Sequence, residues 1–164
     1  HGPQTHYFND GSVSAQWNVK NGKKEGSYKS YWISGILKRS DMYSNDILIS
    51  GAVYNDLGVE IEYVPLEIKA SAKGENVMAQ YIRANLVYPD VAKVKNQEGI
   101  VMASFIIEVD GSGSNVIITS KTIHSSLNQE VIRVIAAMPN WIPAMYDGEV
   151  VRSIVRYPIG FELR

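Results

Sequence analysis

The chain has 164 residues, 45% of them hydrophobic and 20% charged, with a formal net charge of −1. That balance supports a packed core and excludes wholesale disorder, and neither half is basic enough for a phosphate-backbone surface. Without cysteine, disulfides, thiolate catalysis and cysteine-based zinc sites are excluded, and no apolar run approaches the ~20 residues that span a bilayer.

The chain opens His1-Gly2-Pro3, so a signal or anchor segment is expected upstream. Self-similarity then runs from Tyr7 to Tyr63. Tyr7-Phe8-Asn9-Asp10-Gly11 recurs as Tyr31-Trp32-Ile33-Ser34-Gly35 and as Tyr54-Asn55-Asp56-Leu57-Gly58, placing the glycines 24 and 23 residues apart. Asn-Asp-Gly and Asn21-Gly22 supply the positive φ of tight turns. Gly26 and Gly51 recur between the turns, each leading into an aromatic. The pattern predicts stacked hairpins, with Tyr7, Trp17, Tyr31, Tyr43 and Tyr54 filling the sheet. The other reading of these aromatics is a surface for a partner or a glycan. Residues 7–63 resemble the MORN-repeat family in its bacterial variant form, and the repeat module is expected over 1–63. Residues 64–74, with Pro65, small residues and Gly74, read as a linker.

A helix is predicted from Glu75 or Asn76, with Val77, Met78, Tyr81, Ile82 and Leu86 on one side, ending at Tyr88-Pro89. Gly99 opens an alternating strand, Asp110-Gly111-Ser112-Gly113 turns it, and the return strand spans about Asn115 to Lys121. Ser126-x-x-Gln129 reads as a capping box for a helix that buries Leu127, Val131, Val134, Ile135 and Met138. Pro139 stops that helix. A last strand is expected from Val150 to Tyr157, continuing past Pro158 to Phe161. The fold class is α+β, with two helices on a three-stranded antiparallel sheet whose third strand lies beside the first.

Residues 75–164 carry an ordered set of marks. They are Tyr88-Pro89-x-x-Ala92, Gly99-x-Val101-x-x-x-Phe105, Asp110-Gly111, Leu127-Asn128-x-Glu130-Val131, Met138-Pro139-x-Trp141-x-Pro143-Ala144, Gly148 and Pro158-x-x-Phe161. This order resembles the C-terminal domain of the TonB family. The resemblance implies a non-catalytic module of the Gram-negative periplasm, without cofactor, that binds outer-membrane receptors by adding an extended peptide to a sheet edge. It places that edge on Val150, Val151, Arg152, Ser153, Ile154, Val155, Arg156 and Tyr157, with Val155→Pro as a probe. It places a second contact at Asn85, Leu86 and Tyr88, although better-known members carry Gln-Pro where this chain has Asn85-Leu86. Pro158 suits an edge strand, and Arg152 and Arg156 discourage unwanted pairing or favour an acidic partner.

Catalytic candidates are few. His124 beside Ser125-Ser126 lacks the orienting acid and the glycine-rich nucleophile turn of a hydrolase, and capping explains the serines. His1 and His6 have no ligand cluster, so no metal is expected. Asp110 belongs to its turn, and Trp141 reads as a core anchor. The competing function is a structural or regulatory protein that works through its repeats, with the TonB-like domain as scaffold or dimerisation unit. A homodimer through an edge strand is compatible with either reading.

Overall fold

A computed structural model describes residues 1–74 and 76–163; Glu75, expected near a helix start, and Arg164 lie outside the described residues. The chain divides into two compact units, 1–65 and 66–164.

The first unit is a six-stranded antiparallel sheet in sequential order: β1 (Gly2–Tyr7), β2 (Val13–Lys20), β3 (Lys23–Tyr31), β4 (Leu37–Ser44), β5 (Ile47–Tyr54) and β6 (Glu60–Ile61). Two kinds of turn alternate along it. In the first, Phe8 N–H donates to the Ser12 carbonyl at 2.8 Å and Gly11 N–H to the Phe8 carbonyl at 3.0 Å. Trp32 with Ile36 and Gly35, and Asn55 with Val59 and Gly58, repeat both bonds within 0.2 Å. The second kind is a two-residue turn with both φ angles positive, at Asn21-Gly22 and Asn45-Asp46, as the twist of a hairpin demands. One turn of each kind makes the repeat visible in the sequence.

The buried face of this sheet is unusually polar. Across neighbouring strands it aligns Ala15, Ser30, Arg39 and Val53, then Trp17, Tyr28, Asp41 and Gly51. Arg39 and Asp41 are 0% and 2% exposed and meet at 3.2 Å. Tyr43 and Tyr63 donate their hydroxyls to the same Asp41 oxygen at 3.1 and 3.3 Å. Burial first, and then the Asp41 charge, push both phenols upward. A Cβ on Gly51 would come within 2.5 Å of both Asp41 Oδ1 and the Tyr63 ring, so this glycine serves close packing rather than a turn. Among the expected fillers, Tyr43 is buried and Trp17 stacks at 5.8 Å on Tyr28. Tyr7 is a correction: a register shift after His6 turns it outward, leaving it 63% exposed.

The second unit contains β7 (Glu67–Ile68), α1 (Val77–Asn85), α2 (Asp90–Val94), β8 (Gly99–Ile107), β9 (Gly113–Ile118), α3 (Ser125–Ala136), β10 (Ala144–Tyr146), β11 (Glu149–Val151) and β12 (Ser153–Phe161). One sheet runs β12-β8-β9 and a smaller one β11-β10-β7. β12 pairs with β8 over its whole length, so the third strand of the α+β unit lies beside the first as the sequence predicts. Val101, Ala103, Phe105 and Ile107 point inward from β8 and meet Leu127, Val131 and Ile135 of α3 and Ile159 and Phe161 of β12. Glu108 and Gly111 repeat the turn of the first unit, at 2.9 and 3.0 Å.

Four local differences from the sequence reading have physical causes. α2 forms after Pro89 because proline's fixed φ suits the entry to a helix. The return strand begins at Gly113, directly behind the turn. The α3 cap is His124, whose side chain accepts the Ser126 N–H, not a Ser126 capping box. The strand expected over Val150 to Tyr157 is two strands in different sheets, β11 and β12, with Arg152 at the break.

Candidate functional site

β12 is one of the two edge strands of its sheet, and the hydrogen-bond phase fixes which of its residues face outward. Met102 of β8 accepts from Thr119 N–H at 2.9 Å and donates to Ser120 Oγ at 3.1 Å. Both its backbone groups therefore point toward β9. Its opposite number, Pro158, is then in a pair that exchanges no ladder bond, and the phase alternates from there. Val155 and Tyr157 face β8, whereas Ile154 and Arg156 direct N–H and C=O to the open edge. Pro158 offers a carbonyl but no donor, which ends that edge. The outward backbone groups fall on residues whose side chains are also exposed, Ile154 at 69% among them.

This edge borders a groove of about 690 Å³. Val151 through Arg156 form one wall, Glu67 through Ala70 the other, and Ala144, Met145 and Tyr146 also line it. Ser153 Oγ is buried there without a hydrogen-bond partner. Arg152 is held by Glu108, at 2.6 Å from Nε and 3.1 Å from Nη2. The Ser114 hydroxyl and then Arg152 keep the Glu108 carboxyl below the usual range. Arg152 is thus a clasp at the start of β12 and does not share a strand face with Arg156.

Val151, Arg152, Ser153, Ile154, Val155 and Arg156 come together at the groove; Val150, in β11, and Tyr157 do not line it. Asn85, Leu86 and Tyr88 lie apart from it, and their segment is tied down. The Asn85 carbonyl accepts from Arg133 at 2.8 Å, and Val87 N–H donates to Glu130 at 2.6 Å. The Tyr88 hydroxyl donates to the Gln97 carbonyl at 2.5 Å, and its ring meets Phe161 edge-on at 5.4 Å. Burial and then Glu98 raise the Tyr88 phenol.

Sequence reasoning missed the second wall, because Pro65 and Gly74 suggested a linker. β7 instead pairs with β10, and Ser71 bridges Ile142. The signal was the alternation Leu66-Glu67-Ile68-Lys69-Ala70, with Leu66 only 3% exposed. Among the described residues no helix is long and apolar enough to cross a membrane, and no three His, Cys, Asp or Glu gather to hold a metal. His124 Nδ1 lies 2.8 Å from Ser126 Oγ at the helix cap.

Residues 84–163 match the family model described as Gram-negative bacterial TonB protein C-terminal. Two solution structures of the Helicobacter pylori TonB C-terminal domain are similar to the chain. The first, of residues 179–285 of that protein, is 24% identical, covers 53% of this chain and 78% of that one, and has a TM-score of 0.43. The second, of residues 194–285, is 25% identical, covers 55% and 96%, and has a TM-score of 0.41. No curated protein matches the chain significantly. Residues 84–163 therefore form a domain of the Gram-negative bacterial TonB C-terminal family.

Proposed function

We propose that the protein is a non-catalytic binding module of the periplasm that captures an extended segment of an outer-membrane receptor, or of another envelope protein, on the open edge of β12, as part of TonB-dependent transport. The observation that carries this reading is the phase of that edge. Ile154 and Arg156 present two donors and two acceptors beside the groove, and Pro158 stops the row. An added strand of four or five residues satisfies them, with main-chain bonds supplying affinity and the neighbouring side chains selectivity.

The test is an NMR titration of the full chain with the peptide acetyl-Thr-Val-Glu-Val-Thr-amide. Shifts are expected along Val151 to Tyr157, and Arg156→Pro, which removes an outward donor, is expected to weaken binding about tenfold. Val155→Pro is the wrong probe, because its N–H faces β8 and the change breaks the sheet itself. Full affinity in a folded Arg156→Pro protein, or shifts confined to residues 7–63, overturns the proposal.

The second result favours the other reading, in which the MORN-like repeats are the working surface and the TonB-like unit is scaffold or dimerisation unit. One observation supports it. Ile47 through Gly51 of β5 are all exposed and uncharged, and β6 pairs only with Val53 and Tyr54. Such an unprotected apolar edge is suited to pairing with another chain.

A further inference from the structure

The groove beside β12 has a second wall, from the stretch that reads as a linker. Glu67, Ile68, Lys69 and Ala70 line the same groove as Ser153 through Arg156. The Leu66 carbonyl accepts Asp147 N–H at 2.7 Å. Leu66 and Ile68 therefore turn their backbone toward β10, and Glu67 turns its own away. Lys69 and Ala70 fall between the Ile68–Met145 pairing and the Ser71–Ile142 bridge and belong to neither. Each wall thus presents backbone polar groups that the two small sheets leave out of their ladders.

Resting on the reading above, we infer that the captured peptide is clamped from both sides. It adds to β12 on one side, is hydrogen-bonded by Glu67–Ala70 on the other, and so bridges the two sheets. Val151 to Arg156 spans roughly 17 Å at the rise of an extended chain. Charge and surface specify the occupant. Arg152 is matched by Glu108, which leaves Lys69 and Arg156 against Glu67. Ile68, Met145 and Ile154 supply apolar surface. The occupant is an extended segment that mixes apolar side chains with a carboxylate. Ser153 Oγ adds a polar atom at the groove that has no partner of its own.

Amide hydrogen exchange of the full chain, with and without saturating acetyl-Thr-Val-Glu-Val-Thr-amide, tests the clamp. Protection is expected at Ile154 and Arg156 and also at Glu67, Lys69 or Ala70. Ala70→Pro, outside both pairings, is expected to weaken binding threefold to tenfold. Replacing the peptide's Glu by Lys is expected to weaken it further. Protection confined to Ile154 and Arg156, with Ala70→Pro binding normally, overturns the clamp and leaves the β12 edge standing. Protection of neither wall overturns both. If Ala70→Pro disturbs the fold, Lys69→Glu replaces it. A preference that then shifts from the Glu peptide to the Lys peptide supports the clamp, and an unchanged preference overturns it.

Discussion

The two units use the same turn and bury different things behind it. Gly35 and Gly111 occupy one position of that turn, with φ of +82° and +85°. The backbone bonds around them agree within 0.2 Å, and Asp110 binds Ser112 as Asp10 binds Ser12, at 2.9 Å to N–H and 2.6 Å to Oγ. Behind the turns of the first unit stands a sheet whose buried face is an ion pair surrounded by phenols. Behind the turn of the second stand two layers of aliphatic and aromatic side chains. Local chemistry writes the turn, and what packs against it decides how much a change there costs.

The largest effects come from the two cores. Phe105→Ala empties a 1%-exposed site between α3 and β12 and is expected to cost the second unit about 3–5 kcal/mol. Asp41→Ala is expected to cost the first unit a similar ~3–5 kcal/mol, for another reason: it removes the buried carboxylate that Arg39 and two phenol hydroxyls share. The contrast is sharpest in a double variant. Arg39→Met with Asp41→Leu removes both charges, and its loss is expected to be far smaller than that of Asp41→Ala. Urea unfolding followed by resolved amides in each unit checks all three. A double variant no better than the single would show that the pair itself stabilises the sheet.

The next effect separates the turns. Gly35→Ala meets no atom within 4 Å and bears only the conformational cost of positive φ, about 1–2 kcal/mol. Gly111→Ala bears the same cost and also drives its Cβ into the Trp141 carbonyl, while Trp141 N–H is already committed to the Gly111 carbonyl at 2.8 Å. It is expected to exceed Gly35→Ala by more than ~1 kcal/mol, as measured by the shift in unfolding midpoint. Equal losses would mean that the loop at Trp141 yields freely and does not anchor the turn.

This pair also marks what the sequence could disclose. The turns, the alternation of Val101 through Ile107 and the helical stripe of Leu127, Val131 and Ile135 are local patterns, and each was legible. The alignment of Arg39 with Val53, or of Asp41 with Gly51, depends on strand register, which a local pattern does not contain. The candidate site divides the same way. The open edge followed from Pro158 and the order of elements. The direction of each backbone group followed only from the partners of Met102. Glu67–Ala70 stayed hidden because its strand partner lies near Met145, far along the chain, and proline and glycine at its ends imitate a linker.

The smallest effect tests whether a charge also contributes to the apolar unit. Glu130, 9% exposed on α3, receives two bonds from Arg133 and one from Val87 N–H. The Arg133 bonds first, and then the Val87 bond, hold its carboxyl below the usual range. A depressed carboxyl contributes stability above its unfolded pKa, about 4.3, and loses it as pH falls through the folded value. Because the Arg133 side chain is 54% exposed, that contribution is expected to be about 1 kcal/mol or less. Glu130→Gln keeps an acceptor for Val87 and removes the charge. The gap in unfolding free energy between the two proteins is therefore expected to be present at pH 7 and to close as pH falls below ~4. A gap that stays constant from pH 7 to 3 would mean that Glu130 acts here as a neutral acceptor.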